Sequence, residues 1–311
     1  AQIYSNRLSW YVAKDLVLDL NTYLNDPEVG FTEEDKADFP QMFMDNCIWG
    51  DKLYAMPFNK SMMVLYYNEG MLKEAGVEVP TTWEQWAEAS KKLTKDTDGD
   101  GEPDVYGTVF ANNLSTDIAP WVKQAGGTTM DDATSKPFFD QEPMREAVTF
   151  LNGMFQDGSA RFAGEDKNAN VPVQDGRAAM CVASTSALPY IESGTAEGIT
   201  INCAPLPGHK NDAQLYYGTN VTVYNVGTDA EKQAAWLYLK FLTSTENTAY
   251  FAAQTGYIPV RKSAVTAPVF AEVLAAKPMK QVPMDNLDKG FQGERCIGGI
   301  NALNALGDQL K

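Results

Sequence analysis

The stretch from Gly50 to Leu93 constrains the fold most, because its local signals set a strand, strand, helix, helix order. Leu53 to Phe58 is a short apolar run containing Pro57, which reads as a strand that leaves its sheet at the proline. Met62 to Tyr67 is rich in β-branched and aromatic residues and reads as a second strand. Asn59-Lys60-Ser61 joins the two and is polar, so it is expected to meet water or a ligand. Asn68 can cap a helix whose Met71, Leu72 and Ala75 share one face, and Gly76 can end it. Thr82 and Gln85 form a capping box, and Trp83, Trp86, Ala87, Ser90 and Leu93 follow at helical spacing.

Later segments read in the same way. Pro143 opens a helix with Met144, Ala147, Val148, Leu151, Met154 and Phe155 on one side, a core stripe. Gly176 to Ala183 is a buried strand leading into Ser184-Thr185-Ser186 and then Leu188-Pro189-Tyr190-Ile191. Hydroxyls at a helix start can take an anion or sugar hydroxyls, or can simply cap the helix. Tyr216 to Asn220 begins a further strand, where Gly218 lets backbone approach closely. Thr228 and Glu231 form a capping box for a helix over 230–243, whose apolar residues fall on more than one side and predict a buried helix. A helix over 246–255 ends at Gly256, and another follows Gly290 to Arg295.

The 311 residues suffice for two lobes with cores of their own. A net charge of −16 argues against nucleic acid and anionic membrane surfaces as partners, though not against a small anionic ligand held by local geometry. No apolar run approaches the roughly 20 residues of a membrane span. Cys47, Cys181, Cys203 and Cys296 form no CxxC pair, which speaks against zinc; Cys181 and Cys203 fall in apolar, strand-like runs and read as buried thiols, with a disulfide as the alternative in an oxidising compartment. Asp96, Asp98, Asp100 and Asp104 stand at positions one, three, five and nine of a calcium-loop spacing, with Gly101 at the turn position but Gly107 where the bidentate glutamate belongs. The loop is either a structural calcium site or a solvated acidic turn. His209, the only histidine, sits in the polar loop PGHKND and reads as solvated rather than catalytic. No phosphate-cradling loop, serine elbow or histidine metal pair is present.

YAMPFNKS at 54–61, VLYYN at 64–68 and PTTWEQW at 80–86 together resemble the extracytoplasmic solute-binding proteins of ABC importers for sugars and glycerol phosphates. The run from Ala234 through GYIPVR to Ala264, and GFQGERCIGGINALNAL near the end, agree in order. Within the family, the chain is most similar to the glycerol-3-phosphate-binding type. The resemblance implies an α/β fold of two lobes joined by a hinge around an interlobe cleft: 1–58 with 219–262, and 59–218 with 263–311. It implies no enzyme and no required cofactor. Instead, a monomer binds glycerol 3-phosphate or a glycerophosphodiester, in the periplasm or lipid-anchored at the cell surface, and delivers it to the importer's membrane subunits. The matching positions are Ser61 and Ser184 (or Ser186) as hydroxyls, Gly218 as a backbone N–H, Tyr257 as ring or hydroxyl, and Arg295 as the phosphate contact. The resemblance places residues 108–130 along the cleft. Where tryptophans are usual, this chain has Phe110-Ala111-Asn112-Asn113. Relative to the family, the chain is expected to lack an N-terminal strand–helix–strand portion with its signal segment. A neutral sugar is the alternative ligand. A glycosidase and a calcium-stiffened scaffold are the alternatives of other classes.

Overall fold

The computed structural model describes residues 1–115 and 117–309; Thr116, Leu310 and Lys311 of the expected second lobe lie outside them. The strands are β1 (Gln2–Ile3), β2 (Ile48–Trp49), β3 (Lys52–Leu53), β4 (Met56–Asn68), β5 (Tyr106–Phe110), β6 (Ala160–Phe162), β7 (Ala178–Ser184), β8 (Ile201–Pro205), β9 (Gln214–Val221) and β10 (Gly290–Gln292). Eight of them form one sheet, ordered β1-β9-β4-β7-β5-β6, with β10 on β9 and β8 on β4, while β2 and β3 pair separately.

The order follows from β4. The sequence predicts two short strands with a polar joint, whereas the structure has a single strand of 13 residues. Its first half pairs antiparallel with β9, from Met56 opposite Val221 to Met62 opposite Tyr216. Its second half pairs with β7 and β8. Pro57 does not end the strand: the register shifts between Pro57 and Asn59, so the missing amide falls at an irregularity. Asn59, Lys60 and Ser61 are buried rather than wet. Their polar groups are satisfied by the neighbouring strand, as for Asn59 Oδ1, which accepts from Thr219 N at 3.1 Å.

Beyond the crossing, β4 is buried on both faces. Met62, Val64 and Tyr66 join one core, with Phe43, Tyr216 and Trp236. Met63 and Leu65 join the other, with Trp83, Trp86 and Trp121. Helices on both faces explain why the strand reads as a nearly unbroken apolar run. The helix Trp83–Leu93 begins with Thr82 Oγ1 accepting from Gln85 N at 3.2 Å, half of the expected capping box, while Gln85 Oε1 accepts from Thr81 N at 2.9 Å rather than from Thr82. Trp86 Nε1 donates to Thr108 Oγ1 at 3.0 Å. Residues 263–276 pack on the helix Thr245–Gln254 through Ala264 and Phe270 against Ala249 and Ala252. This sets them beside the segment 219–262 rather than with 59–218.

Three expectations change. The helix Asp229–Leu242 buries only Trp236 and Leu239, while Leu237, Tyr238 and Phe241 are exposed, because a single side meets the core. Phe110 and Trp121 are core residues, so they do not line a cleft. His209 is not free in solvent: its ring stacks on Trp83 at 4.4 Å and its Nε2 meets Glu146 Oε1 at 2.7 Å. All four cysteines are buried free thiols, as their apolar surroundings predict.

Candidate functional site

The β4–β9 crossing gathers four of the five expected ligand residues. Ser61 lies opposite Tyr217, and Gly218 opposite Lys60. Gly218 has φ +134°, and a Cβ there would stand 1.9 Å from the Asn59 carbonyl oxygen. Ser184 pairs with Met63 one strand away and caps the following turn, accepting from Ser186 N at 3.2 Å. Tyr257 arrives through a third segment, in which Ile258 N donates to Lys60 O at 2.8 Å. Its ring stacks on Phe251 at 5.7 Å, and burial pushes its phenol above the ordinary value. Gly256 lets this segment lie against Thr185 and Ser186, since a Cβ would be 2.1 Å from Thr185 O.

Arg295 is placed differently. Its guanidinium donates to the carbonyls of Asp45 and Ile48, lies 5.1 Å from the Trp49 ring centroid, and is 3.6 Å from Asp132. Those contacts tie the segment after β10 to residues 45–49. Ser61, too, is turned inward, its hydroxyl 3.4 Å from Tyr217 O.

Beside the crossing lies an open cavity of about 270 Å³. One wall is the first turn of the helix Ser5–Ala13. The others come from Tyr217 and Gly218 of β9, Gln292 at the end of β10, and Ile300 and Leu303 of the helix Gly299–Gln309. Two groups here have no counterpart in the sequence reading. Asn6 Oδ1 is buried and has no hydrogen-bond partner among the described residues. Arg7 is exposed to the cavity, and among the described residues no hydrogen bond or ion pair engages its guanidinium. The helix start also lacks a side-chain cap, so its amide dipoles add a positive end to this wall. Nothing in SNRLSW distinguishes such residues from an ordinary polar helix start.

A second groove, of about 620 Å³, adjoins the turn after Ser184. It is lined by Ser186, Asn168, Asn170, Gln174 and the exposed ring of Tyr190. The acidic loop, which lines neither, brings carboxylate oxygens of Asp96, Asp98 and Asp104 within 4.8 Å of one another. Asp100 stands outside that group, with its carboxylate accepting from Glu102 N at 2.8 Å. Asp104 is held below the usual carboxylate range by hydrogen bonds from the Thr97 hydroxyl and amide.

Residues 1–278 match the bacterial extracellular solute-binding protein family, and the chain belongs to it. Among curated relatives, the sn-glycerol-3-phosphate-binding periplasmic protein UgpB of Shigella flexneri is 27% identical over 221 residues. That match covers 68% of this chain and 50% of the relative. The UgpB of Escherichia coli K12 matches to the same extent. The chain therefore spans about half the length of the curated relatives it matches. Among solved structures, UgpB from Mycobacterium tuberculosis in complex with glycerophosphocholine has a TM-score of 0.83 at 24% identity. It covers 98% of this chain and 77% of that one. A substrate-binding protein from Listeria monocytogenes in complex with cycloalternan has a TM-score of 0.83 at 18% identity, covering 99% and 77%. One from Agrobacterium radiobacter in complex with ribitol has 0.82 at 20%, covering 99% and 78%. The fold is the two-lobe α/β fold of these binding proteins. No helix among the described residues is long and apolar enough to cross a membrane.

Proposed function

We propose that the chain is the ligand-capturing part of an extracytoplasmic solute-binding protein, and that it takes glycerol 3-phosphate or a glycerophosphodiester between its lobes. The carrying observation is the free cation of Arg7. The Arg7 guanidinium is exposed to the cavity and, among the described residues, has no hydrogen-bond or ion-pair partner, while Glu294 on the same lining accepts from the Thr129 hydroxyl. A ligand carrying a phosphate supplies the missing partner. The names of the curated relatives support the same ligand class. In this reading Arg7 makes the first phosphate contact, since Arg295 would have to give up the Asp45 and Ile48 carbonyls to reach one. Gly218 lines the same cavity, whereas Ser184 and Tyr257 lie beyond its lining, near the crossing. Contacts to both lobes stabilise a closed form, which the importer's membrane subunits then read. The protein acts as a monomer outside the cytoplasmic membrane, periplasmic or lipid-anchored. It carries out no catalysis, and release of reducing sugar from a glycoside panel would sink that part.

A thermal-shift screen tests the ligand. Binding to the folded state alone stabilises by about 2.7 kcal/mol at a hundredfold excess over Kd. Glycerol 3-phosphate should raise Tm, and Arg7→Ala should weaken its binding about tenfold or more through the lost charge-assisted contact. A shift that persists in Arg7→Ala, or one seen with sugars alone, overturns the assignment. The second reading, a neutral sugar or polyol, draws on the amide-lined groove at Tyr190, whose ring could stack on a sugar face.

For the acidic loop the reading is structural. A calcium ion between Asp96, Asp98 and Asp104 would relieve their repulsion and stiffen the turn. Chelated protein should then give a saturable heat on calorimetric titration with calcium, and absence of heat removes the idea.

A further inference from the structure

We propose that Lys60 is a specificity-determining residue: a buried ammonium behind the wall of the Arg7 cavity that makes the cleft favour anionic over neutral ligands. The inference rests on the solute-binding reading above and assigns the charge selection within it.

Lys60 has no solvent exposure. Its Nζ donates to Asn220 Oδ1 at 2.7 Å and to Gln292 Oε1 at 3.4 Å. Asn220 Nδ2 donates onward to Ser5 Oγ at 2.8 Å, and Ser5 hydrogen-bonds the Asn46 side-chain oxygen. Ser5, Asn46 and Gln292 all line the cavity. The ammonium therefore stands one side chain behind the cavity wall, and both of its acceptors are neutral amides.

The charged and titratable groups around it supply no counter-ion. From residues 43–47 come the Phe43 ring at 5.8 Å and the Cys47 thiol, which burial pushes up to about 12 and so keeps neutral. Arg295, also close to Cys47, is a second cation. The cavity itself holds Arg7, together with Glu294, which accepts from the Thr129 hydroxyl. Tyr217 of β9 is kept protonated by burial. The nitrogen of Ala1, just before β1, donates to Thr222 O. Among the described residues no carboxylate forms an ion pair with Lys60.

A buried cation without a counter-ion is costly, and an anion placed next to it offsets that cost in a medium where charges attract strongly. The chain's net charge of −16 repels anions at long range, so anion selection requires such a local source. Arg7 alone can contact phosphate. Lys60 adds a field that a neutral ligand does not exploit.

Burial lowers the Lys60 ammonium to about 8. At pH 7 the group is mostly charged, and by pH 9 it is mostly neutral. An anion favours the charged form, so anion affinity should fall as pH rises through about 8, while affinity for a neutral polyol should not. Arginine side chains keep their charge across this range and cannot mimic the effect.

The test is isothermal titration calorimetry of the full chain with sn-glycerol 3-phosphate and with ribitol, at pH 7 and pH 9. The wild type should bind the phosphate about tenfold more weakly at pH 9, with ribitol unchanged. Lys60→Met should bind the phosphate about tenfold more weakly at pH 7 and show a flat pH profile. Lys60→Arg should keep its affinity at pH 9, and it decides the matter if the methionine variant does not fold. Equal weakening of both ligands in Lys60→Met would make Lys60 a structural tie of the crossing strands. A wild-type phosphate affinity independent of pH likewise overturns the inference. Both of those outcomes leave the proposed function standing. A wild type that binds no phosphate removes the proposed function and this inference together.

Discussion

Alanine at position 218 should destabilise the protein by about 3–5 kcal/mol and abolish ligand binding. Two effects add. The backbone at φ +134° is one that side-chain-bearing residues rarely adopt, and the new Cβ would meet the Asn59 carbonyl oxygen at 1.9 Å. Neither can relax cheaply, because Gly218 sits opposite Lys60 in the ladder that carries β4 from one core to the other. The strand would have to part from β9 where Asn59, Lys60 and Ser61 satisfy their buried polar groups. The urea midpoint of Gly218→Ala against wild type measures this, and a shift of less than about 1 kcal/mol would show that the crossing yields.

Arg261→Leu should cost about 3 kcal/mol or more. In the family-like GYIPVR turn this arginine is almost fully buried, and it is a structural tie rather than a cleft residue. Its Nε donates to Thr243 O at 2.8 Å and its Nη1 to Asp35 O at 2.9 Å, with Asp38 Oδ2 at 3.5 Å. The guanidinium lies 4.1 Å from the Phe39 ring centroid and 4.8 Å from that of Phe31. Leucine leaves two carbonyls and two carboxylates short of a donor. The effect also depends on pH. Burial pushes the Asp35 carboxyl up, but hydrogen bonds from Thr32 and the Arg261 charge outweigh it and hold it below its ordinary value. A depressed carboxyl stabilises the fold above its unfolded pKa of about 3.9, and that contribution is lost as pH falls through the folded value. The gap between wild type and variant should therefore narrow below about pH 4. Chemical denaturation at pH 7 and pH 3 reads it, and a gap that widens in acid would contradict the assignment.

Local signals determined the caps at Asn68, Thr82 and Thr228, the core stripes of the helices Trp83–Leu93 and Glu142–Gln156, and the buried thiols. Each depends on residues within a turn or two of one another, or on the apolar run around them. Together with the ordered motifs, they also carried the family and the positions Ser61, Ser184, Gly218 and Tyr257, which the structure brings to one crossing. Tertiary structure alone decided what faces the cavity. Asn59, Lys60 and Ser61 read as a joint meeting water or a ligand, because nothing local reveals that β9 arrives with Thr219 and Asn220 to bond them. Arg295 read as the free cation, yet carbonyls some 250 residues away in sequence occupy it. Arg7 reads as part of an unremarkable helix start, and only its lack of partners among the described residues, at a cavity wall, sets it apart. A group's availability to a ligand depends on what the fold leaves unpaired, and that sum runs over segments far apart in the chain.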